Sequence, residues 1–218
     1  MGSHILPNDK TEYIGECLEQ MYPEAACALN HRNNFEMLVS VVLSAQTTDV
    51  SVNKVTPELF GKYPLPEDLA NADYEDVCDI IRTIGLYKTK AKNIITLSGE
   101  LVERFGGEVP GDFDSLVSLP GVGRKSANVV LAECFGVPRI AVDTHVFRVA
   151  NRIGLTDESD VTNTEEALMR GLPRDRWIRF HHLLIFHGRK CCRARNPLCS
   201  ECLLAGTCLY SIENNGLS

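Results

Sequence analysis

Apolar residues recur at helical spacing along almost the whole of this sequence, and no convincing run of alternating apolar and polar residues interrupts them. Phe35, Leu38, Val39, Val42 and Leu43 fall on one helical face. Val77, Ile80, Ile81 and Ile84 do the same ahead of Gly85, and Ile94, Ile95, Leu101, Val102 and Phe105 ahead of Gly106-Gly107. Val129, Val130 and Cys134 lead to Gly136, and Val146, Phe147, Ala150 and Ile153 lead to Gly154. Trp177, Phe180, His181, Leu184 and Ile185 make a sixth stripe. A glycine directly after such a stripe is a helix stop. Shorter helices are expected near residues 10–22, 49–60, 66–71, 112–118 and 163–171. The pattern predicts an all-α chain of about ten short helices with tight connectors. At 218 residues it can bury one large core or two small ones.

No stretch of about 18 apolar residues exists, so no transmembrane helix is expected. No apolar segment follows Met1-Gly-Ser-His, so no signal peptide is expected either, and those four residues are set aside. The net charge is -7, from 22 basic and 29 acidic side chains, which opposes a nucleic-acid partner if taken as a sum. The distribution points the other way. Arg174, Arg176, Arg179, Arg189, Lys190, Arg193 and Arg195 crowd one segment against only Asp175, while acids gather in Glu12 to Glu24, Glu67 to Asp79 and Asp157 to Glu166. A basic face with an acidic back still attracts DNA.

The central motif is Leu119-Pro-Gly-Val-Gly-Arg-Lys-Ser-Ala127. Pro120 stops one helix and another starts after it. Gly121 and Gly123 are read as positions with backbone angles closed to other residues and with no side chain in the way. The N–H groups opening the second helix then point outward, which suits a phosphate without any positive side chain. A plain helical connector is the alternative for such a glycine pair. Lys125 tips the balance. The start of a helix is already partly positive, so it disfavours an ammonium there and favours the free amine, the form that attacks carbon. Asp143, in Ala141-Val-Asp-Thr-His145, reads first as the N-cap of the next helix. Close to Lys125 it would instead accept a proton or stabilise charge building on a sugar, as glycosidic bond cleavage requires.

Nine cysteines are present. Cys17, Cys27, Cys78 and Cys134 are scattered and read as small buried hydrophobes. Cys192, Cys199, Cys202 and Cys208 have the spacing C-x6-C-x2-C-x5-C, which suits a compact metal centre. Zinc usually pairs two close cysteine knuckles and only one is present, so the spacing favours iron–sulfur with zinc as the rival. Cys191 is adjacent and is not read as a ligand, because its side chain is expected to point differently from that of Cys192.

Together these segments, with Leu43-Ser-Ala-Gln-Thr-Thr-Asp-Val-Ser-Val-Asn-Lys54 and Thr83-Ile-Gly-Leu-Tyr87, resemble the endonuclease III family of helix-hairpin-helix DNA glycosylases, over about residues 11 to 210. The resemblance implies a two-domain all-α helix-hairpin-helix glycosylase fold with a C-terminal iron–sulfur cluster loop. A six-helix domain would span 27–137, and 5–26 would join 138–218 in the cluster domain. It implies a bifunctional enzyme, glycosylase and abasic-site lyase, acting as a cytoplasmic, nucleoid-associated monomer on oxidised pyrimidines in double-stranded DNA. Lys125 matches the nucleophile and Asp143 the catalytic carboxylate. Cys192, Cys199, Cys202 and Cys208 match the ligands of a [4Fe–4S] cluster. Gln46 matches a residue that fills the gap left by an extruded nucleotide, and Leu86 a wedge into the opposite strand. Gly121, Gly123, Arg124, His145, Arg193 and Arg195 are the further DNA-contact candidates. The loop Arg193-Ala-Arg-Asn-Pro-Leu198 carries fewer charges than the family pattern, so DNA binding is expected to be weak and strongly salt-sensitive. The rival functions are a monofunctional glycosylase, against which Lys125 argues, and a non-catalytic DNA-binding or redox-sensing module, against which Lys125 and Asp143 argue jointly.

Overall fold

A computed structural model describes residues 8–215. Residues 1–4, set aside above, and residues 5–7 of the expected N-terminal segment lie outside them. Among the described residues there is no strand. The α-helices are α1 (Asn8–Met21), α2 (Asn34–Ser44), α3 (Asp49–Lys62), α4 (Pro66–Ala70), α5 (Tyr74–Ile80), α6 (Tyr87–Phe105), α7 (Phe113–Val117), α8 (Arg124–Phe135), α9 (Thr144–Ile153), α10 (Val161–Gly171), α11 (Trp177–Lys190) and α12 (Leu209–Asn215). Single 3-10 turns stand at Arg174–Arg176 and Cys199–Glu201. The chain divides into two compact units, Cys27–Val137 and Met1–Ala26 with Pro138–Ser218.

The unit 27–137 contains α2 to α8, seven helical segments where six are expected, because α4 and α7 are only five residues long. Its core is aliphatic: Leu38, Leu43, Leu59, Ile94, Leu97 and Leu101 are wholly buried. Each such leucine stabilises the unit by about 1.5–3 kcal/mol relative to exposure. Side-chain caps set where helices begin. Asn33, Thr48, Asp73 and Asp112 accept N–H bonds at the starts of α2, α3, α5 and α7.

One predicted boundary is corrected. The Val77–Ile84 stripe is not a single helix ended by Gly85. α5 stops at Ile80, and Ile84 N–H bonds the Ile81 carbonyl in a tight turn. Ile81 and Ile84 are both buried, and a three-residue spacing serves consecutive turns as well as a helix face. The left-handed residue there is Leu86, at φ 59°, and not Gly85. By contrast α6, α8 and α9 end on left-handed Gly106, Gly136 and Gly154.

The other unit is built from both chain ends. Ile14 and Leu18 of α1 are buried with Val149, Ile153, Leu168, Phe180, Leu183 and Leu184. Three basic residues of the crowded segment bind α1 and its exit. Arg176 pairs with Glu19 at 2.7 Å, Lys190 with Glu24 at 2.9 Å, and Arg179 donates to the Ala25 carbonyl at 2.6 Å. These charges are committed inside the unit, so the basic face expected from the sequence is smaller than its residue count. α9 and α11 approach closely at Gly188, where a Cβ would stand 2.9 Å from the His145 Cβ and 3.1 Å from Val149 Cγ2.

Candidate active site and metal loop

The hairpin is formed by α7, the segment 118–123, and α8. Leu119 and Val122 are buried and anchor the turn, with the Val122 N–H bonded to the Leu119 carbonyl at 3.1 Å. The two glycines do different things. Gly121 has φ 80°, and a Cβ on it would stand 2.9 Å from Asn93 Nδ2 and 3.0 Å from Val42 Cγ1. Fold geometry alone therefore requires glycine there. Gly123 departs from the sequence reading: its φ of -98° is open to any residue, and a Cβ would meet nothing within 4 Å. Neither strain nor packing demands glycine at 123. The open space leaves the backbone accessible from outside the chain.

Gly123 precedes α8 and gives it no side-chain cap. The start of α8 thus has no N-cap side-chain bond of the kind that α2, α3, α5 and α7 have, which favours an anion at this point. Arg124 is exposed and lies over the Phe113 ring, with its guanidinium carbon 5.8 Å from the centroid. Lys125 follows, exposed, on the first turn of the helix.

Asp143 belongs to the other unit. It is the N-cap of α9, its Oδ1 accepting the N–H of His145 and of Val146, each at 2.8 Å. Both bonds fall on one oxygen, so Oδ2 is not used by the cap. Half-buried His145 has its Nδ1 3.2 Å from Arg148 Nη2 and packs against Gly188. Gln46 and Leu86 are exposed, at φ 54° and 59°. Left-handed backbone is uncommon for residues with a Cβ and is found at functional sites. Nothing in the sequence announced it, because neither residue is a glycine or asparagine. Arg193 and Arg195 are exposed on the loop that follows α11.

The cysteine loop closes on itself. Cys191, Cys192, Cys199, Cys202 and Cys208 all line one small cavity together with His187. Cys191, which is not among the expected ligands, also faces this cavity: its sulfur, that of Cys202 and a His187 ring nitrogen lie within 4.8 Å of one another. Cys191 is nonetheless distinct, since its thiol donates to the Leu198 carbonyl at 3.3 Å. Burial pushes the Cys202 thiol up to about 12 and raises Cys191 and Cys208. Opposing that, Leu204 N–H donates to Cys202, and the Ser211 and Tyr210 N–H groups to Cys208. Arg152 Nη1 stands 3.6 Å from the Cys192 sulfur. Buried sulfurs supplied with N–H and guanidinium donors fit thiolates held by a cationic metal centre.

Two residues beside this cavity were not singled out from sequence as partners. Tyr22 Oη lies 3.1 Å from His187 Nδ1, and His187 Nε2 lies 3.8 Å from Cys202 Sγ. Burial, then the charge of Arg148, pushes His187 down to about 4, leaving a neutral ring. Arg148 also donates to the Gly188 and Cys192 carbonyls, at 2.9 and 3.0 Å, and Arg152 to that of Arg193 at 2.7 Å. Helix α9 thus holds the start of the cysteine loop through two arginines four residues apart.

A hairpin with an uncapped helix start, a lysine on that helix and a cysteine-lined loop define a class. Residues 39–174 match the HhH-GPD superfamily of base excision DNA repair proteins, and the chain belongs to it. Within that superfamily it belongs to the endonuclease III family. It is 52% identical to endonuclease III of Bacillus subtilis (strain 168), over 90% of each chain. It is 46% identical to that of Escherichia coli (strain K12), over 88% of this chain and 92% of the other. A solved structure of a trapped endonuclease III–DNA covalent intermediate superposes with a TM-score of 0.91 at 46% identity, covering 96% of this chain and 99% of that one. A thermostable thymine-DNA glycosylase shares the fold at 23% identity, with a TM-score of 0.84. The protein is therefore a base excision repair enzyme. No helix among the described residues is long and apolar enough to cross a membrane.

Proposed function

We propose that Lys125 is the nucleophile with which this base excision repair DNA glycosylase and abasic-site lyase opens damaged duplex DNA. The observation that carries the assignment is an exposed amine on the first turn of an uncapped helix, beside a glycine whose open side needs no side chain from the fold. A phosphate taken by the α8 N–H groups would hold the strand next to that amine. The Lys125 amine attacks C1′ of an oxidised or ring-saturated pyrimidine nucleotide, and the base leaves with the bond's electron pair and a proton. Asp143 assists through the oxygen that the α9 cap does not use. The sugar ring opens to an imine on Lys125, which makes the C2′ proton acidic. Loss of that proton expels the 3′ phosphate by β-elimination, and water then hydrolyses the imine and frees the amine.

Gln46 and Leu86 are assigned to the duplex. Gln46 fills the space left by the extruded nucleotide and Leu86 enters the opposite strand, which offsets part of an unstacking cost of a few kcal/mol. Gly121, Gly123, Arg124, His145, Arg193 and Arg195 are assigned to DNA contact. Cys192, Cys199, Cys202 and Cys208 would hold a [4Fe–4S] cluster, which supplies structural stapling and electron exchange rather than a chemical step here. A bacterial-type cytoplasmic monomer fits this assignment.

The test is borohydride trapping on duplex DNA with an abasic site or an oxidised thymine. A covalent adduct that disappears in Lys125→Ala is expected. Absence of any adduct with the wild-type chain would overturn the assignment.

A further inference from the structure

Lys90 is the anomaly the proposed chemistry does not use. It lies on α6, only 4% exposed, and burial pushes its amine down. An ammonium brings three donors, and among the described residues its Nζ has one hydrogen-bonding partner, Thr47 Oγ1, at 2.6 Å. A core that needed only volume would place methionine or leucine there, since a buried amine with one acceptor is unfavourable.

What Lys90 joins is specific. Its backbone N–H bonds the carbonyl of Leu86 at 3.0 Å, one turn back. Its side chain reaches the segment 45–48 at the residue after Gln46. The same two segments meet a second time, where the Gln46 carbonyl lies 4.0 Å from the Cβ position of Gly85. Gln46 and Leu86, both in left-handed backbone, therefore stand on segments tied together by one buried amine.

We propose that Lys90 is a positioning residue that locks the segment 45–48 to the start of α6, so that Gln46 and Leu86 engage a damaged duplex as one rigid head. This rests on the assignment of Gln46 and Leu86 to the duplex. Thr47 is the acceptor that completes the lock. Without the bond, each residue must be ordered separately when DNA binds, and the loss falls on nucleotide extrusion rather than on the lysine chemistry.

The experiment uses the full-length, metal-loaded protein and a duplex carrying 2-aminopurine beside an oxidised thymine. Unstacking is read as a fluorescence rise, and base release and strand cleavage are timed separately at saturating enzyme. Lys90→Met is expected to melt at or above the wild-type temperature. It should lower the fluorescence rise and slow base release by about tenfold, while cleavage at a preformed abasic site falls by less than about threefold. Thr47→Val should reproduce this split, the double variant should be no slower than the slower single one, and Lys90→Arg should recover part of the signal. If Lys90→Met loses stability, Thr47→Val, a change in a loop, carries the same reading. Extrusion and base release within about twofold of wild type in both single variants would overturn the proposal. If Gln46→Ala and Leu86→Ala are themselves silent, the duplex assignment fails first and this inference with it.

Discussion

A methyl group on Gly188 would stand 2.9 Å from the Cβ of His145. Asp143, the proposed catalytic carboxylate, caps the first turn of α9 on which His145 stands, so this contact between α9 and α11 involves the same helix turn. Gly188→Ala must push these helices apart or force side chains off their rotamers, which costs about 1–3 kcal/mol. Thermal unfolding should show a lower midpoint, and an unchanged midpoint would mean the two helices have slack there.

The two hairpin glycines should separate in experiment. Gly121→Ala meets Asn93 and Val42 with a left-handed backbone, and should destabilise the protein by about 1 kcal/mol or more. Gly123→Ala loses only glycine's advantage at the helix N-cap, so should cost less than about 1 kcal/mol, and should weaken DNA binding. Equal affinity of Gly123→Ala and wild type in a fluorescence-anisotropy titration would remove the hairpin from the phosphate contacts.

Asp143 has two roles that substitutions can pull apart. Asparagine keeps an oxygen for the His145 and Val146 N–H groups, so Asp143→Asn should melt close to wild type while base release falls sharply. Asp143→Ala loses the cap as well, at about 0.5–2 kcal/mol. If Asp143→Asn releases bases at the wild-type rate, the residue is a cap and nothing more.

Cys191 and Cys199 should differ in iron. Cys191 donates its thiol to the Leu198 carbonyl, and a residue so occupied is dispensable as a ligand. Purified Cys191→Ala should keep its iron and visible absorption, whereas Cys199→Ala should lose both. Retention in Cys199→Ala, or loss in Cys191→Ala through a folded chain, would redraw the ligand set.

Binding should weaken with salt, and by less than the basic residue count suggests. Arg176, Arg179 and Lys190 are spent on α1, so their replacement should lower stability more than it changes the salt slope. Arg193→Ala and Arg195→Ala should each reduce the slope of log K against log salt by roughly 1. A slope indifferent to both would place the DNA elsewhere.

Helix content, the left-handed stops at Gly106, Gly136 and Gly154, the hairpin and the cysteine loop are local events, and local pattern carries them. The early end of α5 was not legible, because Ile81 and Ile84 are spaced for a helix and for tight turns alike. Lys90 was not legible either: its acceptor is 43 residues away in sequence, and composition makes every lysine look like a surface charge. The arginines misled for the same reason. Whether a guanidinium faces water or a carbonyl depends on a neighbour that only the fold supplies.

One unit is made from a single stretch of chain and the other from both ends. During synthesis the stretch 27–137, hairpin included, has all of its own core as soon as it emerges. Helix α1, made before the rest of its unit, must wait for α9 to α11 before Ile14 and Leu18 are fully covered, and Cys208, made after all of these, completes the proposed ligand set. A translating ribosome therefore carries a chain whose hairpin can mature while the apolar face of α1, Ile14 and Leu18, still lacks the helices that cover it.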